Sequence, residues 1–475
     1  MKRLLVLAVL LAIVVGAAGG AAATARHSVS ADVTKPAGDE CMFVIAGRNA
    51  TTDGSVLMGY NNDWAANNFC YLRKVPATAS TFGYTRIMTL GKYREGGINE
   101  RQLAVCYGVA TGLAPAVLAA DPYMSKGAGQ YMWDAILEQC SSSREAIDYL
   151  EECASTTGFS AWAAGSIGIA DSREAWVFEL LGGHHWVAAR VPDNAYYAQP
   201  NMLRIRQVDL SDPANFRGSS DLATFAAGLG LYDPAQGPLD VAWAYGDRAD
   251  LQSWYNTNRL WGVMHRWSPA LAPDPAMPYA SRPVFSVPAR PLSRSDIMSF
   301  NREHYEGTQL DQTAGYTLMG PHQQTDRPIC CSWTDYGAVF QCRAKLPQGI
   351  GGILWLAPSR PCSSAFVPFY CAITGVPSQW TDHTAYEAFA GVARSLDKKG
   401  TVGGQLRYAH YIGLVRGAYR AFDTDTAAAQ ADLERRAAAM WRRNRAGAIE
   451  LLTSFSNERA TSAFDLAKGL PAQMP

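Results

Sequence analysis

From residue 41 onward the chain alternates short apolar runs with turn clusters, then changes to helical spacing. The run MFVIA (42–46) and the run at 56–60 flank Thr52-Asp53-Gly54-Ser55, which reads as strand, turn, strand. Residues 96–108 (GGINERQLAVCYG) read as a turn containing Asn99-Glu100 and then a buried strand. Helices are predicted over 129–139 and 144–154. In the second, Ala146, Ile147, Leu150, Cys153 and Ala154 recur at helical spacing, with Ser142 or Ser143 as N-cap and Gly158 past the end. Strands return at 166–170, 175–180 and 185–191, separated by Asp171-Ser172 and Gly182-Gly183, as an antiparallel meander. Residues 207–300 carry mixed helical signals, 328–371 are β-rich, and the chain is helical from about Tyr386. That order predicts an α+β fold with mostly antiparallel sheets.

The first forty residues have another character. Lys2 and Arg3 precede an apolar run over 4–15, small residues follow, and Ala23-Thr24-Ala25 fits a cleavage site. This is the layout of a secretory signal peptide over 1–25. An uncleaved anchor is the alternative, since the apolar and small residues of 4–23 are long enough to span a bilayer. The polar stretch 26–40 (RHSVSADVTKPAGDE) is expected to be a linker or propeptide, 41–380 the main domain, and 381–475 its helical C-terminal part. The expected location is therefore secreted or periplasmic, with no stable membrane insertion after signal cleavage.

Composition narrows the function. The 475 residues hold 42 Lys+Arg against 42 Asp+Glu, which lacks the basic surplus of a nucleic-acid binder. Only 18% of residues are charged and 11% are aromatic, which excludes disorder over most of the length. Ten cysteines are too few for a disulfide scaffold. With no Cys-x-x-Cys pair and no Cys/His cluster at zinc-finger spacing, no structural zinc site is expected. His184-His185 reads as a strand-end pair and Asp423-Thr424-Asp425 as a helix start, neither as a metal site.

Cys41 is the leading candidate for chemistry. It opens the first strand directly behind a removable segment. Cleavage before it would place a thiol and an α-amine on one residue, and an α-amine titrates near pH 7.7–8.0. Nucleophile and general base would then need no histidine. The other reading is a buried or disulfide-bonded strand cysteine.

The segment CMFVIAGRNATTDGSVLMGYNNDW resembles the mature start of peptidase family C69, dipeptidases of the N-terminal-nucleophile (Ntn) hydrolase superfamily. That superfamily also holds penicillin V acylases and bile-salt hydrolases. GGINERQLAV, AILEQCSSSREAIDYLEECASTTGF, the strands and loop through QPNMLRI, and RAKLPQGIGGILWLAPSRPCSSAFVPFY continue the resemblance. It implies an αββα sandwich with antiparallel sheets and a helical C-terminal extension. It implies Cys41 as nucleophile, Asp63 as the acidic residue that orients the nucleophile and its amine, and Asn201 as the loop asparagine at the amine or oxyanion. Arg204, three residues on, is read either as the partner of a substrate carboxylate or as half of a surface salt bridge. Tyr60, at a substrate-binding position, stands where acylase relatives carry Arg. The family's separate oxyanion asparagine has no clear counterpart in CYGVATGL.

The expected activity is hydrolysis of a short linear peptide, without cofactor or metal, by a protein matured before Cys41. The partner is a small peptide substrate, and a homo-oligomer is left open. The alternatives are an N-acyl amide acylase of the same superfamily or a non-catalytic exported binding protein on the same scaffold.

Overall fold

The computed structural model of the chain describes residues 41–475 apart from 65–67, 91–92, 110, 130 and 273. The expected signal peptide and linker lie outside the described residues.

Two antiparallel sheets form the centre. One has seven strands in the order Phe285–Ser286 (β12), Tyr196–Gln199 (β10), Met42–Ala46 (β1), Val56–Asp63 (β2), Thr334–Cys342 (β13), Ile353–Pro358 (β14) and Val367–Tyr370 (β15). The other has eight: Phe216–Gly218 (β11), Trp186–Arg190 (β9), Ala175–Leu180 (β8), Ser166–Ala170 (β7), Ala104–Val109 (β6), Tyr93–Asn99 (β5), Tyr84–Thr89 (β4) and Cys70–Val75 (β3). β1 lies between β2 and β10, with Phe43 opposite Tyr60 on one side and Gln199 on the other. Both faces of β1 and β2 are covered, which is why every residue in them is buried and why they read as unbroken runs.

The sheets pack face to face. A Cβ on Gly168 of β7 would lie 2.7 Å from Cys106 Sγ, 2.9 Å from Met58 Sδ and 3.2 Å from Phe43 Cε2, so only glycine lets the layers approach this closely. Met58, Tyr60 and Asn62 alternate onto this inner face, because side chains along a strand repeat every two residues.

Helices cover the outer faces. Met132–Gln139 and Ser143–Thr156 lay Trp133, Ile136, Leu137, Ile147 and Leu150 against Ile167, Ile169, Trp176 and Phe178 of the eight-stranded sheet. Ser142 caps the second helix by accepting from the Glu145 backbone, and Gly158 follows it at φ +65°, as the sequence pattern predicts. Asn99 has two uses. It accepts from Arg101 and Leu103 to close the β5–β6 turn, and its amide donates to the Leu137 and Cys140 carbonyls at the end of Met132–Gln139.

On the other side Arg294–Asn301 packs on β2 and β13, and Asn301 Nδ2 donates to the carbonyls of Tyr60 and Ala338 at 3.1 Å each. The C-terminal helices Thr384–Asp397, Arg407–Trp441 and Arg445–Gly469 close over β14 and β15, where the Trp380 indole donates to the Ala460 carbonyl. Asp423-Thr424-Asp425 lies inside Arg407–Trp441, not at a helix start, because helical pairing runs unbroken through it. Glu434 on the same helix turns inward to Arg343 and Tyr370, while Arg435 and Arg436 stay exposed beside Asp432. His184 and His185 sit at a strand end, both hydrogen-bonded to Asp121.

Candidate active site

Cys41 stands one residue before β1, fully buried, between the two sheets. Its thiol accepts hydrogen bonds from the Tyr60 hydroxyl at 3.1 Å and from Asn62 Nδ2 at 3.5 Å, and Asn62 Nδ2 also donates to the Tyr60 oxygen at 3.1 Å. Both donors come from the inner face of β2, which the β1–β2 register delivers to the start of β1. Donors aimed at sulfur favour the thiolate over the thiol. Tyr336 of β13 stacks obliquely on Tyr60 with ring centroids 5.8 Å apart and completes the wall on that side. Tyr60, expected to contact substrate, is thus turned to the cysteine.

A second cluster holds the main chain of Cys41. Arg259, on the helix Trp254–Trp267, donates to the Cys41 carbonyl at 3.3 Å, to Asn201 Oδ1 at 2.8 Å and to Asn256 Oδ1 at 2.8 Å. Asn256 Nδ2 in turn donates to the Asn201 carbonyl at 3.0 Å. Asn201 is therefore gripped at side chain and backbone. Burial, together with the neighbouring Arg327 cation, pulls the Arg259 guanidinium below its ordinary range.

Asp63, the last residue of β2, is fully buried and forms an ion pair with Arg327, whose side chain is equally enclosed. Thr334 of β13 donates to its other oxygen at 2.5 Å, and Arg327 Nε donates to the Tyr255 hydroxyl at 2.8 Å. The Asp63 charge also acts on Arg259, which links this pair to the cluster at Cys41. Burial opposes the charge on Arg327, but Cys331, Asp63 and Tyr255 outweigh it and hold the guanidinium well above its ordinary range.

Arg204 is placed differently from the expectation. It is buried, and its guanidinium donates to the carbonyls of Ala198, Pro283 and Val284, so it straps the end of β10 to the 283–284 segment and does not join the group around Cys41. Its backbone N–H and that of Ile205 donate to Glu179 at 2.7 and 3.0 Å. Glu179 of β8 thereby shapes the loop that carries Asn201. Burial raises its carboxyl from 4.5 to about 7, against the backbone N–H groups that favour the anion. A raised folded pKa contributes stability below the unfolded value and loses it as pH climbs through the folded one. This shift predicts a loss of about 3 kcal/mol between about pH 4.5 and 7. In Glu179→Gln, urea midpoints measured across that window are expected to lose this slope relative to the parent, although the variant is less stable throughout because Gln cannot accept from both backbone N–H groups.

Sequence reasoning found Cys41, Tyr60, Asp63 and Asn201, which the structure gathers within one network. It missed Asn62, Arg259, Asn256, Tyr255, Arg327 and Thr334. Asn256 and Arg259 did leave a trace: they lie three apart in WYNTNRLW, on a helical face continuing into Leu260, Val263 and Met264. Arg327 left none, because it lies in an irregular loop.

Cys41 heads a central strand of the seven-stranded sheet, with donors on its sulfur and a guanidinium on its carbonyl, and is the candidate nucleophile of this site. The sequence profile of peptidase family C69 matches residues 74–392, more than half of the chain, and the protein belongs to that family and is a peptide-bond hydrolase. The matched span takes in Asn201, Arg259 and Arg327 and begins after Cys41, Tyr60 and Asp63. Among curated proteins, the chain is similar to a probable dipeptidase of Salmonella dublin, 30% identical over 359 residues, covering 70% of this chain and 80% of that protein. A probable dipeptidase of Latilactobacillus sakei is 26% identical over 472 residues, covering 91% and 94%. Among solved structures, penicillin V acylase from Agrobacterium tumefaciens aligns over 70% of this chain and 86% of that one, with 12% identity and a TM-score of 0.30.

Proposed function

We propose that this chain is an exported dipeptidase, made as a precursor and activated by cleavage between Glu40 and Cys41. The observation that carries the reading is the Cys41 thiol held by Tyr60 and Asn62 while Arg259 fixes its carbonyl. The names of the family relatives support the substrate class. In the mature chain the α-amine of Cys41 takes the thiol proton. The thiolate attacks the peptide carbonyl, and the oxyanion is stabilised by N–H donors, for which Asn201 Nδ2 is the candidate. The tetrahedral adduct collapses to a thioester as the ammonium returns its proton to the departing amine. Water, deprotonated by the same α-amine, then hydrolyses the thioester and frees the acid and the thiol.

Intact mass and N-terminal sequencing of the mature protein test this, together with a panel of dipeptides and N-acyl amino acids. The expected result is a chain starting at Cys41 that hydrolyses dipeptides. An unprocessed chain starting near Arg26 would sink the proposal, and a preference for N-acyl amino acids would redirect it to acylase chemistry.

Tyr60→Phe removes one donor to sulfur without altering the ring packing. Its kcat/KM is expected to fall by about 10²-fold, the scale of one lost donor at a reacting centre. Because the lost bond favours the thiolate, the acid limb of the pH–rate profile should move to higher pH. A fall in rate with an unmoved acid limb would mean that Tyr60 acts on something other than the thiol.

A further inference from the structure

Away from Cys41, four metal-ligating side chains converge: His304, His322, Cys330 and Cys362, with ligand atoms all within 4.8 Å of one another. None belongs to the cluster described above. His304, Cys330 and Cys362 are buried, and the His322 side chain is 5% exposed.

The geometry points to a structural zinc site of Cys2His2 type. Both imidazoles are oriented from behind. His304 Nδ1 lies 3.0 Å from Glu306 Oε1, and His322 Nδ1 lies 3.3 Å from both oxygens of Asp397. A carboxylate on Nδ1 fixes the tautomer that offers Nε2 to a metal, the arrangement found behind most zinc-bound histidines. The carboxylates are anchored in their turn, Glu306 by Tyr316 and Arg416 and Asp397 by Arg360. His304 Nε2 is buried without a hydrogen bond of normal geometry, and the Cys362 thiol lies close enough to act on it. Cys362 Sγ stands 3.3 Å from His322 Nε2.

Bonds of about 2.0–2.3 Å to a tetrahedral zinc hold its donors about 3.3–3.8 Å apart, so the Cys362–His322 pair already has the right spacing and no pair has to close by more than about 1.5 Å. Two sulfurs and two imidazole nitrogens select zinc over the harder divalent cations. Four protein ligands leave no open position, which marks a structural site. Binding would release two protons from the Cys/His cluster to solvent and leave a neutral core. A cavity of about 690 Å³ lined by Glu306, Arg416 and Cys362 among others offers a route for the ion.

Position in the fold supplies the purpose. His304, His322 and Cys330 lie on the irregular segment 302–333, whose one regular piece is the short turn Pro321–Gln323, while Cys362 lies on the connection between β14 and β15. Irregular segments this long are uncommon inside a folded domain and usually carry a function. Tyr305, Ala314 and Tyr316 in it adopt positive φ, which requires tertiary support. The same segment carries Arg327 to Asp63 and the Ile329 carbonyl to Asn61. Zinc would thus pin the loop that positions the buried partner of Asp63. The sequence offered no warning, because the ligands are spread from 304 to 362 with no finger-like spacing.

The test is metal analysis of the full chain, purified with a tag that contains no histidine and without chelator. Elemental analysis and native mass should give about one zinc per chain. Growth with Co(II) should yield the thiolate-to-cobalt and tetrahedral d–d absorption of an S2N2 site. Cys362→Ser and His322→Gln should each lose the metal, and stripping the parent with a chelator should lower its Tm by several degrees. A metal-free parent after purification in zinc buffer overturns the site. So does a Cys330–Cys362 disulfide in non-reducing peptide mapping, or zinc that survives in Cys362→Ser. These readouts do not depend on peptidase activity, so the site and the proposed function stand or fall separately.

Discussion

Replacing Cys41 with alanine is expected to lower kcat/KM on dipeptides by at least about 10⁴-fold, with residual turnover limited to what binding and oxyanion donors provide. The fold should survive. The sulfur is small, and the donors that lose it, Tyr60 and Asn62, still bond to each other at 3.1 Å. The variant is best produced as a chain already beginning at residue 41, so that failed maturation is not mistaken for failed chemistry. Cys41→Ser is the sharper companion. A hydroxyl keeps the reach of the thiol but holds its proton far more tightly, so an α-amine titrating near pH 8 deprotonates it poorly. Activity undiminished in either variant would remove Cys41 from the nucleophile's role, however well its surroundings fit.

The second large effect belongs to Asp63. Asp63→Asn leaves the Arg327 guanidinium enclosed without its counter-charge, and breaking a buried pair from one side typically costs about 3–5 kcal/mol. Urea denaturation should show a loss of that order, and kcat/KM should fall as well, since Asp63 belongs to the charge network that reaches Arg259 and the Cys41 carbonyl. The double variant Asp63→Asn/Arg327→Met separates the two consequences. Removing both charges should restore much of the stability, because the desolvated guanidinium is gone, while activity stays low. If the double variant regained activity along with stability, Asp63 would be a packing residue with no part in arranging the nucleophile.

The pH dependences differ in origin and can be told apart. The slope assigned to Glu179 is a stability effect that disappears in Glu179→Gln, whereas the shift predicted for Tyr60→Phe is read in the pH–rate profile, with the Glu179 carboxyl intact in both proteins.

Much of this protein was legible in its sequence, and for local reasons. The runs at 42–46 and 56–63, the helix cap at Ser142 and the meander from 166 to 190 obey rules that act over a few residues: strand alternation, capping, turn chemistry. Cys41 stood out because it opens a strand behind a segment with the layout of a signal peptide and linker, and Tyr60, Asp63 and Asn201 followed from the resemblance around it. Tertiary structure decided the rest. Arg204 looked available to a substrate carboxylate, but the path of residues 283–284 brings their carbonyls to its guanidinium. No motif in the sequence singled out Arg259 or Arg327, and only the closing of a helix and a long loop over the start of β1 buries them against Asn201 and Asp63. The four residues from His304 to Cys362 carry no mutual spacing at all. A sequence displays contacts that depend on neighbouring positions, whereas contacts between distant segments exist only after the chain has folded back on itself. Here they supply the nucleophile's charged surroundings and the loop that holds them.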